Sequence, residues 1–228
     1  MVIAIDGPSA SGKSTASRRV AEALGYLHVD TGSMYRAFTW KVLEEEVDPR
    51  DSGAVVALMK QVRYECDFVE EGNGPAQLRN RLDGVDPGAA IREPRVEKSA
   101  SVIAAIPEVR DWLVGKQREL VSHGNMVVEG RDIGTIVFPD ASMKFYLDAD
   151  PQIRAQRRLT DQVQLGTPVE VKAVTEAMSE RDRRDRTRAV APLKVAEDAI
   201  RIDTTHNSVE ETTDMVLKHI RSRHLVSG

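Results

Sequence analysis

Short apolar runs alternate along this chain with stretches whose apolar residues recur at helical spacing. That is the pattern of buried strands with helices laid on the sheet faces. Val2-Ile3-Ala4-Ile5 reads as a first strand, and Ala16, Val20, Ala23 and Leu24 form a helical stripe that should end near Gly25. Tyr26-Leu27-His28-Val29 predicts a second strand, followed by a helix carrying Met34, Ala37 and Phe38 up to the break at Asp48-Pro49. Residues 54–62 read as helical again. The period then changes to two at Tyr64, Cys66 and Phe68, and again at Ala76, Leu78, Asn80 and Leu82. Glu71-Gly72-Asn73-Gly74-Pro75 supplies the turn between them. This predicts a small antiparallel sheet at about 63–86, either a separate lobe that grips a second substrate or a decorative excursion. Helical stripes resume at Val96, Ala100 and Ile103, then at Val109, Trp112, Leu113 and Leu120. Met126-Val127-Val128, Met143–Leu147 and Ala199–Ile202 predict the third, fourth and fifth strands, with two helices between the last two. Val209, Met215, Val216 and Ile220 mark a closing helix.

Composition narrows this frame. With 228 residues, 41% of them apolar, the chain can bury one sizeable core and carry an inserted subdomain. Aromatics are only 4%, so aliphatic side chains must fill that core. A formal net charge of −4 does not favour a general nucleic-acid binder. The lone Cys66 excludes an internal disulfide framework and reads as a packing residue in a reducing compartment. No signal-peptide pattern and no window of membrane-span length is visible. The expectation is a soluble, cytoplasmic monomer with small-molecule substrates and neither nucleic-acid nor membrane partners.

The stretch Gly7-Pro8-Ser9-Ala10-Ser11-Gly12-Lys13-Ser14-Thr15 stands between the first strand and the first helix. In that context G-x-x-x-x-G-K-[ST] means a phosphate-binding loop. Its glycines let successive N–H groups turn inward around an anion, and the helix N-terminus points at the same place. Lys13 supplies a point charge for the β- and γ-phosphates, and the Ser14 hydroxyl is placed to ligate Mg2+. A nucleoside triphosphate is the implied ligand. Thr31, Ser33 and Arg36 follow the second strand, where ligand crevices of open α/β sheets lie. Asp30 or Ser33 reads equally as the N-cap of the next helix.

Residues 181–188 hold five arginines and two aspartates. A solvated helix end explains most such runs, but beside a phosphate-binding loop arginines neutralise charge developing in phosphoryl transfer. Residues 154–190 are therefore read as a lid, with Gly166 and Pro168 allowing it to close. The Asp-x-x-Gly and Asn/Thr-Lys-x-Asp motifs of regulatory GTPases are missing, and the histidines have no zinc-ligand spacing.

Four blocks resemble bacterial cytidylate kinases: Ile5-Asp6-Gly7-Pro8 into the loop, Asp30–Arg36, Gly130–Thr135 with Val137-Phe138-Pro139, and Arg181-Asp182 through Arg188–Leu193. The resemblance runs from the first strand to the last helix. It implies an α/β fold with a three-layer α/β/α core on a five-stranded parallel sheet, a monophosphate-binding lobe and an arginine-rich lid. The implied boundaries are core at 1–36, 108–153 and 191–228, lobe at 37–107 and lid at 154–190. The implied reaction is ATP + (d)CMP giving ADP + (d)CDP with Mg2+. Residue by residue, it implies that Arg36, Arg131 and Arg188 clamp the CMP phosphate and that Ser101, Arg110 and Asp132 read the base. It implies that Arg181 and Asp185 hold the sugar, that Thr31 and Arg92 join the CMP site, and that Lys13, Arg131, Arg181 and Arg188 carry catalysis. Glu129 stands where aspartate is common in the family, keeping the carboxylate on a chain one methylene longer. Thr31 stands where serine is common, keeping the hydroxyl. A kinase for another small acceptor, or a non-catalytic nucleotide-binding module, is the competing reading.

Overall fold

The computed structural model describes residues 1–70, 74–164, 170–188 and 190–226. Seven strands form one sheet: β1 (Val2–Asp6), β2 (Leu27–Asp30), β3 (Tyr64–Val69), β4 (Gln77–Leu82), β5 (Met126–Gly130), β6 (Met143–Asp148) and β7 (Ile200–Asp203). Their spatial order is β3-β4-β2-β5-β1-β6-β7. From β2 to β7 the pairing is parallel. The central strands β1 and β5 are apolar on both faces because helices cover both. On one face Ala4, Val29 and Val128 pack with Met34, Phe38 and Val42 of α2 (Thr31–Glu44) and Leu113 of α5 (Pro107–Glu119). On the other, Ile3, Ile5, Val127 and Phe145 pack under Ala16 and Val20 of α1 (Lys13–Leu24) and Val216 and Ile220 of α8 (Val209–Val226). Two further helices, α3 (Ser52–Met59) and α4 (Pro94–Ile103), complete the flank beside α2. None of the described helices is long and apolar enough to cross a membrane.

The sheet has seven strands rather than the expected five, and the difference is the antiparallel insert. Strands β3 and β4 pair along their whole length, Tyr64 with Leu82 through Val69 with Gln77. They do not form a second sheet. The His28 N–H donates to Ala76 O at 3.0 Å, and His28 pairs in register with Gln77, so the hairpin extends the main sheet. The physical reason is the otherwise open edge of β2, whose N–H and C=O groups need partners. Of the expected hairpin turn, Glu71, Gly72 and Asn73 lie outside the described residues.

Two more helices follow β6, α6 (Pro151–Gln164) and α7 (Val171–Thr187). They share a small apolar cluster of Ala155, Val174 and Met178, joined by Leu159 and by Ala10 of the phosphate-binding loop. Gly166, Pro168 and Ala189 lie outside the described residues.

Candidate active site

The carboxyl ends of β1, β2 and β5 open side by side into a cleft of about 1050 Å³. The loop after β1 fits only as glycine permits. A Cβ on Gly7 would stand 2.1 Å from Leu147 O, and Gly12, with φ 84°, is the N-cap of α1. Ser9, Ala10, Gly12, Lys13, Ser14 and Thr15 line the cleft. Gly7, Pro8 and Ser11 lie behind it. Gly7 O accepts from Arg131 Nη1 at 2.8 Å, Pro8 O from Lys13 Nζ at 3.1 Å, and Ser11 O from Thr204 Oγ1 at 2.9 Å. Burial, followed by the like charge of Arg131, pulls the Lys13 amine down to about 7. An arriving polyphosphate would hold the proton there.

Ser14 Oγ donates to Glu129 Oε2 at 2.7 Å. The other carboxylate oxygen, Oε1, is buried without a hydrogen bond and lies 3.4 Å from His28 Nε2. A hydroxyl and a carboxylate are hard oxygen donors. Among the described residues no three His, Cys, Asp or Glu side chains cluster as a metal cage. That donor set fits a small divalent cation that keeps most of its waters and leans on one carboxylate and on phosphate oxygens.

At the far end of the cleft the residues expected to hold an acceptor converge. Arg110, 2% exposed, donates through Nη2 to Asp132 Oδ2 and through Nη1 to Ala104 O at 3.3 Å, with its guanidinium 5.6 Å over the Tyr35 ring. Asp132 Oδ1 is 3.6 Å from Arg188 Nη2. Arg36 Nη2 donates to Asp30 Oδ2 at 2.6 Å, while Asp30 Oδ1 accepts from Ser33 N as the N-cap of α2. Of the two N-cap candidates, Asp30 is the one that caps α2. Burial would raise Asp30, but Arg36 and then His28 outweigh it and hold the carboxyl below its usual range. Arg131 Nε donates to Asp185 Oδ2 at 2.8 Å. Ser101 Oγ accepts from Arg184 Nη1 at 3.2 Å, and Thr31 Oγ1 donates to Glu129 O at 2.7 Å. Arg92 is exposed on the cleft wall.

The cleft holds a surplus of positive charge. Burial and then Arg131 pull Arg181 down to about 10, and burial and then Arg110 lower Arg188. Arg36 Nε, Arg181 Nε and Arg188 Nη2 are buried without hydrogen-bond partners. Guanidiniums that repel one another in this way are matched by an anionic ligand.

Sequence reasoning missed several participants. Arg154, 3% exposed, donates to Ala149 O and Ser9 O and pairs with Asp182 at 2.6 Å. Arg157 donates to Thr204 O at 2.5 Å, and Arg158 pairs with Glu97 of α4. Their i, i+3, i+4 spacing puts all three on neighbouring faces of α6, and that was the available signal. For His28 the signal was a lone polar residue within an apolar strand.

The chain matches the family model described as Cytidylate kinase over residues 3–222. It is 41% identical over 221 residues to the cytidylate kinase of Geobacillus sp. (strain WCH70), covering 97% of this chain and 96% of that protein. It is 44% identical over 224 residues to the bifunctional pantoate ligase/cytidylate kinase of Synechococcus elongatus (strain ATCC 33912 / PCC 7942 / FACHB-805). There it covers 98% of this chain, which spans only 42% of that relative's length. An uncharacterized protein from Eubacterium ventriosum ATCC 27560 shares the fold, with a TM-score of 0.50 at 14% identity over 97% of this chain and 99% of that one. With the loop, the arginine cleft and these likenesses in agreement, the chain belongs to the cytidylate kinase family.

Proposed function

We propose that this chain transfers the γ-phosphoryl group of ATP to CMP or dCMP, giving ADP and CDP or dCDP. One observation carries the choice of acceptor: the buried Arg110–Asp132 pair at the end of the cleft away from the phosphate-binding loop. Cytosine offers an N4 amino donor beside an N3 acceptor. A carboxylate suits the first and a guanidinium the second, whereas uracil presents the reverse polarity at both positions. Ser101 completes the base-reading group. Arg36, Arg131 and Arg188 hold the acceptor phosphate, and Arg181 and Asp185 hold the sugar.

The acceptor phosphate oxygen is anionic at neutral pH, so the transfer needs no general base. The work of the protein is to hold two mutually repelling anions in line. Lys13 sits under the donor phosphates, and the arginines, already crowded by their own repulsion, neutralise the transferring group. Residues 154–190 act as the lid and 37–107 as the acceptor lobe. Arg158–Glu97 and Arg184–Ser101 support this, since each joins a lid helix to α4 across the cleft. Ser14 and Glu129 would hold Mg2+, which supplies charge neutralisation on the β- and γ-phosphate oxygens when bound.

The test is an ADP-release assay with Mg-ATP and a panel of CMP, dCMP, UMP, AMP and GMP. The expected result is fast turnover with CMP and dCMP, and with UMP slower by roughly 100-fold or more. Comparable rates with UMP would remove Arg110 and Asp132 from base reading. No turnover with any monophosphate would overturn the reaction.

A further inference from the structure

His28 sits in the middle of β2 beneath the phosphate-binding loop, 6% exposed, with Val127 and Gln77 as its neighbours in register. An aliphatic side chain would fill this place without burying two ring nitrogens. Its contacts explain the imidazole. Nε2 lies 3.2 Å from Ser17 Oγ and 3.4 Å from Glu129 Oε1. Ser17 has one hydroxyl hydrogen, and two backbone carbonyls of α1 stand in position to accept it, Lys13 O at 2.7 Å and Ser14 O at 3.2 Å. Ser17 therefore faces His28 with a lone pair, so Nε2 carries a hydrogen. That hydrogen bond goes to Ser17, and Glu129 Oε1, buried without a hydrogen bond, stands 3.4 Å from the same nitrogen as a polar contact.

The second Glu129 oxygen takes the hydrogen of Ser14 at 2.7 Å. A serine hydroxyl whose hydrogen is drawn inward turns its lone pairs outward, and Ser14 lines the cleft. A chain of contacts thus runs from Ser17 through His28 and Glu129 to Ser14.

We propose that His28 is a positioning residue. Held by Ser17, its Nε2–H presents a positive edge 3.4 Å from Glu129 Oε1 and so biases the carboxylate that orients Ser14 Oγ to accept a divalent cation carried by the nucleotide. This rests on the nucleotide-site reading above.

The experiment measures ADP affinity by calorimetry, with and without MgCl2 and with no acceptor present. The proteins are wild type, His28→Leu, His28→Gln and His28→Asn. Wild type should bind ADP more tightly with MgCl2. His28→Leu should lose roughly 10-fold of that gain, the low end for groups supporting a metal ligand, while its metal-free affinity stays within about two-fold. His28→Gln, whose amide nitrogen stands near the position of Nε2, should recover most of the gain. His28→Asn, whose amide falls short of it, should not, and it replaces the leucine variant if that one fails to fold. A full MgCl2 gain in the leucine or asparagine variant would overturn the role of His28. So would a glutamine variant as impaired as leucine, which would reduce His28 to packing. A wild-type protein with no MgCl2 gain would overturn the metal-nucleotide reading of the loop itself, whereas the kinase reading is tested separately by the monophosphate panel.

Discussion

Asp6 shows how a single side chain sets the frame of this site. Its two carboxylate oxygens accept from the Ile133 and Gly134 N–H groups, both at 2.8 Å, and tie the segment after Arg131 and Asp132 to β1. Burial nevertheless dominates and raises Asp6 from its ordinary 3.8 to about 6. Between those values the folded protein binds the proton more tightly than the unfolded chain does. This contribution to stability is therefore present at low pH and is lost as pH rises through about 6. In Asp6→Asn the dependence disappears, although one backbone donor then meets an amide. Chemical denaturation between pH 4 and 6.5 should show the variant gaining on wild type by about 2–3 kcal/mol as pH rises. A constant difference would mean that Asp6 titrates normally. Lys13 was legible from sequence because a phosphate-binding loop constrains residue type and spacing, and Arg188 stood out within a run of arginines, whereas the roles of Arg131 and Asp132 came only with the family resemblance. The pairings were not legible, since Arg131–Asp185 and Arg110–Asp132 join remote segments.

At the scale of elements, the central strands β1 and β5 were legible because burial on both faces writes an unbroken apolar run, and β7 was legible as a short run although Arg201 and Asp203 are exposed. The hairpin was legible as alternation, but its place in the sheet was not. One backbone bridge at His28–Gln77 decides it, and neither strand's pattern records that bridge. The two lid helices were legible as elements, but the contacts that hold them down were not. Arg158 reaches Glu97 of α4, and Arg184 reaches Ser101. Glu97→Gln should weaken the first of these by about 1 kcal/mol, making local opening of α6 and α7 roughly five-fold faster without nucleotide. Hydrogen exchange over 151–164 and 170–187 reads this directly. Unchanged rates there would show that the pair does not hold the helices down.

At the scale of the molecule, strand order brings together what the chain keeps apart. Asp30 pairs in register with Glu129, and Asp6 with Gly130, so three distant segments end at one height in the sheet. The hairpin is tied to this assembly through buried polar groups. Tyr64 OH donates to Asn80 Oδ1 at 2.6 Å, Asn80 Nδ2 to Ser33 Oγ at 3.1 Å, and Ser33 Oγ to Asp30 O at 2.6 Å. Asn80→Leu strands the Tyr64 hydroxyl and should lower stability by about 1–3 kcal/mol in chemical denaturation. A change below about 0.5 kcal/mol would show that the chain of hydrogen bonds is not under strain of burial.

Attachment of α6 and α7 is lopsided. Towards the donor side they are fastened repeatedly: Arg154 to Ser9 and Ala149, Arg157 to Thr204, and Ala10 inside their own apolar cluster. Towards α4 they rest, among the described residues, on the side-chain contacts Arg158–Glu97 and Arg184–Ser101. A cover hung this way is a door with its jamb at the phosphate-binding loop. On the reading proposed above, such a door would open widest over the acceptor, so traffic of acceptor and product would meet the smaller barrier, while the triphosphate would pass beside the hinge.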